Sequence, residues 1–128
     1  VISKPLADVT EKELQSQLFG TKVGIAKIMG WACYHTLKSK GSEPGFPDWT
    51  IARDRVIFVE LKAEKGKLSD AQITWIHVFV KAGAEVYVVR PRHLEAMSWV
   101  LRKRYRPRPG DNPHGDGLLE ELDTVLST

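Results

Sequence analysis

The sequence predicts a mixed α/β domain, a central sheet flanked by helices, with elements in the order α-β-β-β-α-β and then a C-terminal helix. Three observations carry that prediction. Two segments, 10–29 and 69–82, place apolar residues at helical spacing: Leu14, Leu18, Ile25 and Met29 in the first, Ile76 and Phe79 in the second. The runs between and after them, above all VIFVELK (56–62) and EVYVVR (85–90), are short and rich in β-branched residues. The strand-helix-strand order from Val56 to Arg90 is that of a right-handed crossover, which sets Val86–Val89 parallel to Val56–Glu60.

The elements follow in turn. Thr10 can cap the first helix, with Glu13 completing a capping box, and Gly20 and Gly24 weaken its middle enough to kink or end it early. Trp31–Thr36 reads as a strand. Gly41, Pro44, Gly45 and Pro47 punctuate the loop that follows. Asp48–Ala52 and Val56–Lys62 form a hairpin around Arg53-Asp54-Arg55. Ser69 opens the second helix, with Gln72 as its capping-box partner, and Gly83 ends it. His93 to about Arg104 is a third helix with Leu94, Met97 and Leu101 on one side. Residues 1–108 make one domain, and 109–128 form an acidic, Pro/Gly-rich tail in which Leu118–Leu126 has the pattern of a short amphipathic helix.

Composition narrows the function. At 128 residues, 42% hydrophobic and 27% charged, the chain suits one ordinary globular domain. A single cysteine, Cys33, excludes an internal disulfide and a zinc site built on paired cysteines. The four histidines lack metal-ligand spacing. No stretch approaches a membrane span and no signal peptide is visible, so the expected setting is cytoplasmic, with no membrane partner. The net charge of +3 is unevenly spread: every Lys and Arg lies at or before Arg108, where 19 bases face 11 acids. Such a basic body fits either a polyanionic partner or a solvated surface.

The chemistry concentrates in GFPDWTIARDRVIFVELK, residues 45–62. Residues two apart on a strand share a face, so Glu60 and Lys62 point one way while Val59 and Leu61 point into the core. With a three-residue turn at 53–55, Ala52 pairs with Val56, and Asp48 falls opposite Glu60, with Cβ atoms ~5 Å apart. Opposed carboxylates repel unless something cationic lies between them, and oxygen-only ligation suits Mg²⁺ or Mn²⁺. A divalent ion there can activate water for phosphodiester hydrolysis, with Lys62 beside it to neutralise charge developing on the phosphate. Glu-x-Lys alone is an ordinary surface ion pair; the combination with Gly-Phe-Pro-Asp and the hairpin register is what points to a site.

These residues resemble the virus-type replication-repair nuclease (VRR-NUC) domain of the PD-(D/E)xK superfamily. The resemblance runs from about Thr10 to Pro91 through TEKEL (10–14), GFPD (45–48), VELK (59–62), LSDAQ (68–72) and GAEVYVV (83–89). It implies a restriction-endonuclease-like core in which Asp48 and Glu60 bind the metal, the Leu61 carbonyl assists and Lys62 is catalytic. A first-helix carboxylate and a second-helix glutamine are also implied; Glu11 and Gln72 match them. Glu11 has a rival reading as a favourable charge at the helix N-terminus, and Gln72 as merely the cap partner of Ser69. Gln72 shares a face with Ile76 and Phe79, however, so its amide points inward, where it needs a partner. Lys38, Lys40, Lys65 and Lys67 border the site as candidates for DNA backbone contacts. His35 and Ser42, flanking the loop before Phe46, could touch a phosphate but read more simply as surface residues, and Trp31, Trp75 and Trp99 as core.

The expected function is a metal-dependent DNA endonuclease acting on branched DNA in replication or repair, in a bacterial or phage-infected cell. Symmetric cutting of a junction needs two active sites and so a homodimer. The alternatives are a nuclease fold that binds nucleic acid without cutting and a sequence-specific restriction-type enzyme. Intact Asp48, Glu60 and Lys62 weigh against the first, and the shortness of the chain against the second.

Overall fold

The computed structural model describes residues 4–37, 41–111, 115 and 117–128. Four strands form one mixed sheet in the order β1 (Ala32–His35), β2 (Trp49–Ala52), β3 (Val56–Leu61) and β4 (Glu85–Val89). β2 runs antiparallel to both β1 and β3, and β3 and β4 pair in parallel. The hairpin register is the expected one: Ala52 faces Val56 and Trp49 faces Val59. The crossover from β3 to β4 carries the helix α3 (Asp70–Lys81).

The first helical segment is two helices, α1 (Glu11–Phe19) and α2 (Ile25–Ile28), rather than one. The break falls where two glycines allow the chain to fold back on itself. A Cβ on Gly24 would lie 2.3 Å from the Gly20 nitrogen, and one on Gly20 would lie 2.6 Å from the Ser16 carbonyl oxygen. Both capping boxes form, Thr10 with Glu13 and Ser69 with Gln72. A 3₁₀ turn at Pro91–His93 leads into α4 (Leu94–Arg102), and α5 (Leu118–Leu126) closes the chain.

One apolar core fills the space between the sheet and α1, α2 and α4, through Leu14, Leu18, Ile51, Val59, Met97 and Leu101. A second joins the opposite face to α3 and α5 through Ile76, Val86, Val88 and Val125. Both faces of β3 are therefore covered, and Glu60 is buried along with Val59 and Leu61. Trp31 is core, whereas Trp75 is only half-buried and donates its indole N–H to the Pro44 carbonyl at 3.0 Å. Arg53 and Arg55 do more than turn the hairpin. Their guanidiniums lie 4.6 and 5.4 Å from the Trp31 ring centre, and both donate to the Lys103 carbonyl at the end of α4. Among the described residues no helix is long and apolar enough to cross a membrane.

Gly45 sits where the loop before β2 meets α3. Its φ is +89°, and a Cβ would lie 2.4 Å from the Ala71 carbonyl carbon. Left-handed backbone and a main-chain collision act together, so Gly45→Ala is expected to cost about 2–4 kcal/mol in urea unfolding. A loss below about 1 kcal/mol would mean that the loop swings clear of the helix without penalty.

Candidate active site

Asp48 immediately precedes β2. Its carbonyl accepts from the Thr36 amide at 2.7 Å, and its Oδ2 accepts from the Leu61 amide at 2.9 Å. The carboxylate is thus pinned to the end of β3 by main chain, which fixes its direction without a second side chain. Register places Asp48 across from Glu60, and the two carboxyl groups share a hydrogen bond.

Glu60 is 1% exposed. Burial, then the hydrogen bond and negative charge of Asp48, push its carboxyl up to about 9, with Glu11 adding to the rise and Lys62 opposing it. The two readings of Gln72 prove compatible. Its Oε1 accepts from the Ser69 amide at 2.8 Å, completing the cap, while its Nε2 donates to Glu60 Oε1 at 3.1 Å. One amide uses both ends, so the start of α3 and the orientation of Glu60 are a single arrangement.

Lys62 follows β3, half-buried, with its amide bonded to the Val89 carbonyl at 3.0 Å. Glu13 is committed elsewhere, to the Thr10 cap and to Lys4 at 2.8 Å, whereas Glu11 is exposed and electrostatically coupled to Glu60. That division leaves Glu11 rather than Glu13 as the first-helix acid whose charge acts on Glu60. Lys65 and Lys67 are exposed on the stretch after Lys62. Lys38 and Lys40 lie outside the described residues.

A cavity of about 280 Å³ opens beside Asp48 and Gln72, with Thr36, Ser42, Gly45 and Phe46 among its walls. Ser42 therefore faces the cavity, and His35 is no plain surface residue: its ring stacks on Trp49 at 4.4 Å and 8°. The Thr36 hydroxyl is buried there with no hydrogen-bond partner among the described residues. Among the described residues, no three His, Cys, Asp or Glu side chains converge on one point.

The profile of the VRR-NUC domain matches residues 3–93. The chain belongs to the VRR-NUC domain family. Membership implies a PD-(D/E)xK-type nuclease and hence a nucleic-acid partner, and nucleases of this family typically use divalent metals. Neither a comparison with curated proteins nor one with solved structures returned a match. The VRR-NUC match spans Asp48, Glu60, Lys62 and Gln72, and ends before α4.

Two residues around this VRR-NUC site escaped the sequence reading. Arg90, at the end of β4, looks like a terminal surface charge in EVYVVR. Glu121 looks like one more acid in an acidic tail. A signal for Glu121 was present: with Leu118 and Val125 it falls on the buried stripe of α5, where an acid needs a cationic partner.

Proposed function

We propose that this chain is a divalent-metal-dependent DNA endonuclease that hydrolyses phosphodiester bonds with Asp48, Glu60 and Lys62. The observation carrying the proposal is a pair of carboxyl groups held together, half-buried Asp48 against buried Glu60, with Glu60 pushed up to about 9. A fold that keeps two acids in contact sacrifices stability there, and perturbed groups of this kind concentrate at functional sites. Their donors fit Mg²⁺ or Mn²⁺: carboxylates and a main-chain carbonyl are hard oxygen ligands, and a dication relieves their repulsion.

Asp48, Glu60 and the Leu61 carbonyl would hold the ion. Once bound, it supplies Lewis acidity and a water that loses its proton near neutral pH. The Leu61 amide keeps Asp48 aimed, and Gln72 keeps Glu60 from turning away. Lys62 offsets the negative charge that builds on the phosphate as the bond breaks. Glu11 contributes negative potential from α1. Lys65 and Lys67 hold the backbone without reading bases, as do Lys38 and Lys40 on sequence grounds alone.

Within this reading the substrate is branched DNA, such as a four-way junction, and the working form is a homodimer with one site for each strand cut. The test incubates purified protein with labelled junction, splayed-arm, single-stranded and linear duplex DNA, each with Mg²⁺, with Mn²⁺ and with EDTA. Metal-dependent cutting that Asp48→Ala abolishes, strongest on the junction, is the expected result. Binding without cutting under either metal would replace the nuclease by an inert binding module.

A further inference from the structure

Arg90 makes the densest set of polar contacts near the site, and none of them is to a group placed in the chemistry. Its side chain is 11% exposed. Nη1 donates to the carbonyls of Ala63 at 2.7 Å, Glu64 at 3.2 Å and Gly66 at 2.7 Å. These three carbonyls belong to the turn that follows Lys62, closed by Gly66 N–H to Ala63 O at 3.1 Å. The turn lies against the catalytic lysine itself: a Cβ at Gly66 would sit 3.6 Å from Lys62 Cδ.

The other edge of the guanidinium is held from the C-terminal helix. Arg90 Nε donates to Glu121 Oε1 at 3.0 Å, and Arg92 Nη2 donates to the same oxygen at 2.7 Å. Arg92 in turn grips the turn's Glu64 through both its guanidinium and its amide. Glu121 is 8% exposed and lies on α5, beyond the residues that the family profile covers. A buried, doubly engaged carboxylate fixes a planar guanidinium far more tightly than solvent does.

We propose that Arg90, locked by Glu121 of α5, is a positioning residue of the nuclease site: it clamps the turn 63–66 and through it sets the place of the Lys62 ammonium. The C-terminal helix is by this account part of the working site rather than an appendage. The chemistry needs such a clamp. Lys62 reaches its target on a flexible four-carbon stem, and an ammonium is useful in the transition state only if its position is set beforehand. Lysine at position 90 keeps the charge but cannot present a planar fork to Glu121 and several carbonyls at once.

The inference rests on the nuclease reading above, and single-turnover cleavage with Mg²⁺ separates the two. Arg90→Lys and Glu121→Gln are each expected to slow cleavage about 10-fold, the usual scale for groups that orient a site from behind. The decisive measurement is the double-mutant cycle. If Arg90 acts through Lys62, then Arg90→Lys adds no further loss in a Lys62→Ala background. Glu121→Gln run through the same cycle serves should Arg90→Lys fail to fold, as thermal unfolding would show. Wild-type rates in both single variants, or losses that multiply independently of Lys62, would overturn the clamp alone. A wild-type protein that cuts nothing would remove the nuclease reading, and the clamp with it.

Discussion

Glu60→Gln is expected to abolish cleavage and, in the same protein, to raise the stability of the metal-free form at pH 8. The two effects have one cause. Glu60 is buried against Asp48, and its carboxyl is pushed from the ordinary 4.5 to about 9. Between those values the folded chain keeps a proton that the unfolded chain releases. The stabilisation from that proton is complete below about pH 4.5 and is lost progressively until about pH 9. The slope is at most about 1.4 kcal/mol per pH unit. Glutamine has the same shape and no proton to lose, so the variant's stability should stay level where the wild type's falls. It also lacks the negative charge that a divalent ion requires, so the stable variant is the inactive one. Urea titrations at pH 6, 7 and 8, with EDTA present throughout, read the effect. A variant with the wild-type pH slope would mean that Glu60 is not the group responsible, and retained cleavage would remove it from the metal site.

Lys62→Ala is expected to slow single-turnover cleavage by about 100-fold while leaving DNA affinity and thermal stability near wild type. Lys62 is half-buried at the end of β3, its backbone tied to Val89 and its stem against the turn at Gly66. Its charge already opposes the rise at Glu60, so it senses the carboxylate pair that the metal would join. Losing a positioned cation at developing negative charge costs rate rather than ground-state binding, since the proposed backbone contacts of the exposed Lys65 and Lys67 are left in place. A near-normal rate would reduce Lys62 to a structural ion-pair partner. A matching fall in affinity would make it a binding residue instead.

Several features of this molecule are written locally enough to be read from the chain. The strand runs, the capping boxes at Thr10 and Ser69 and the three-residue turn at 53–55 depend on neighbours a few positions apart. So does the hairpin register, which carries Asp48 to Glu60 once Ala52 pairs with Val56. The first helical segment is legible only in part: Gly20 and Gly24 mark where it can kink or end, and the structure ends α1 there. Apolar spacing runs on through both glycines, and the close approach of backbone there decides between a kink and an end.

What the sequence by itself determined is the order of elements, the register of the hairpin and the identity of the acids and lysine that share it. These follow from periodicity and turn chemistry, which act over short stretches of chain. Only the tertiary structure decided that both faces of β3 are covered, so that Glu60 is buried rather than merely opposed to Asp48. Packing α3 over that face also let Gln72 cap its helix and hold Glu60 with one amide. Packing α5 beside β4 brought Glu121 to Arg90 across 31 positions of sequence. The physical reason is distance along the chain: alternation says which way a side chain points, and only the elements that meet it in space say what it finds there.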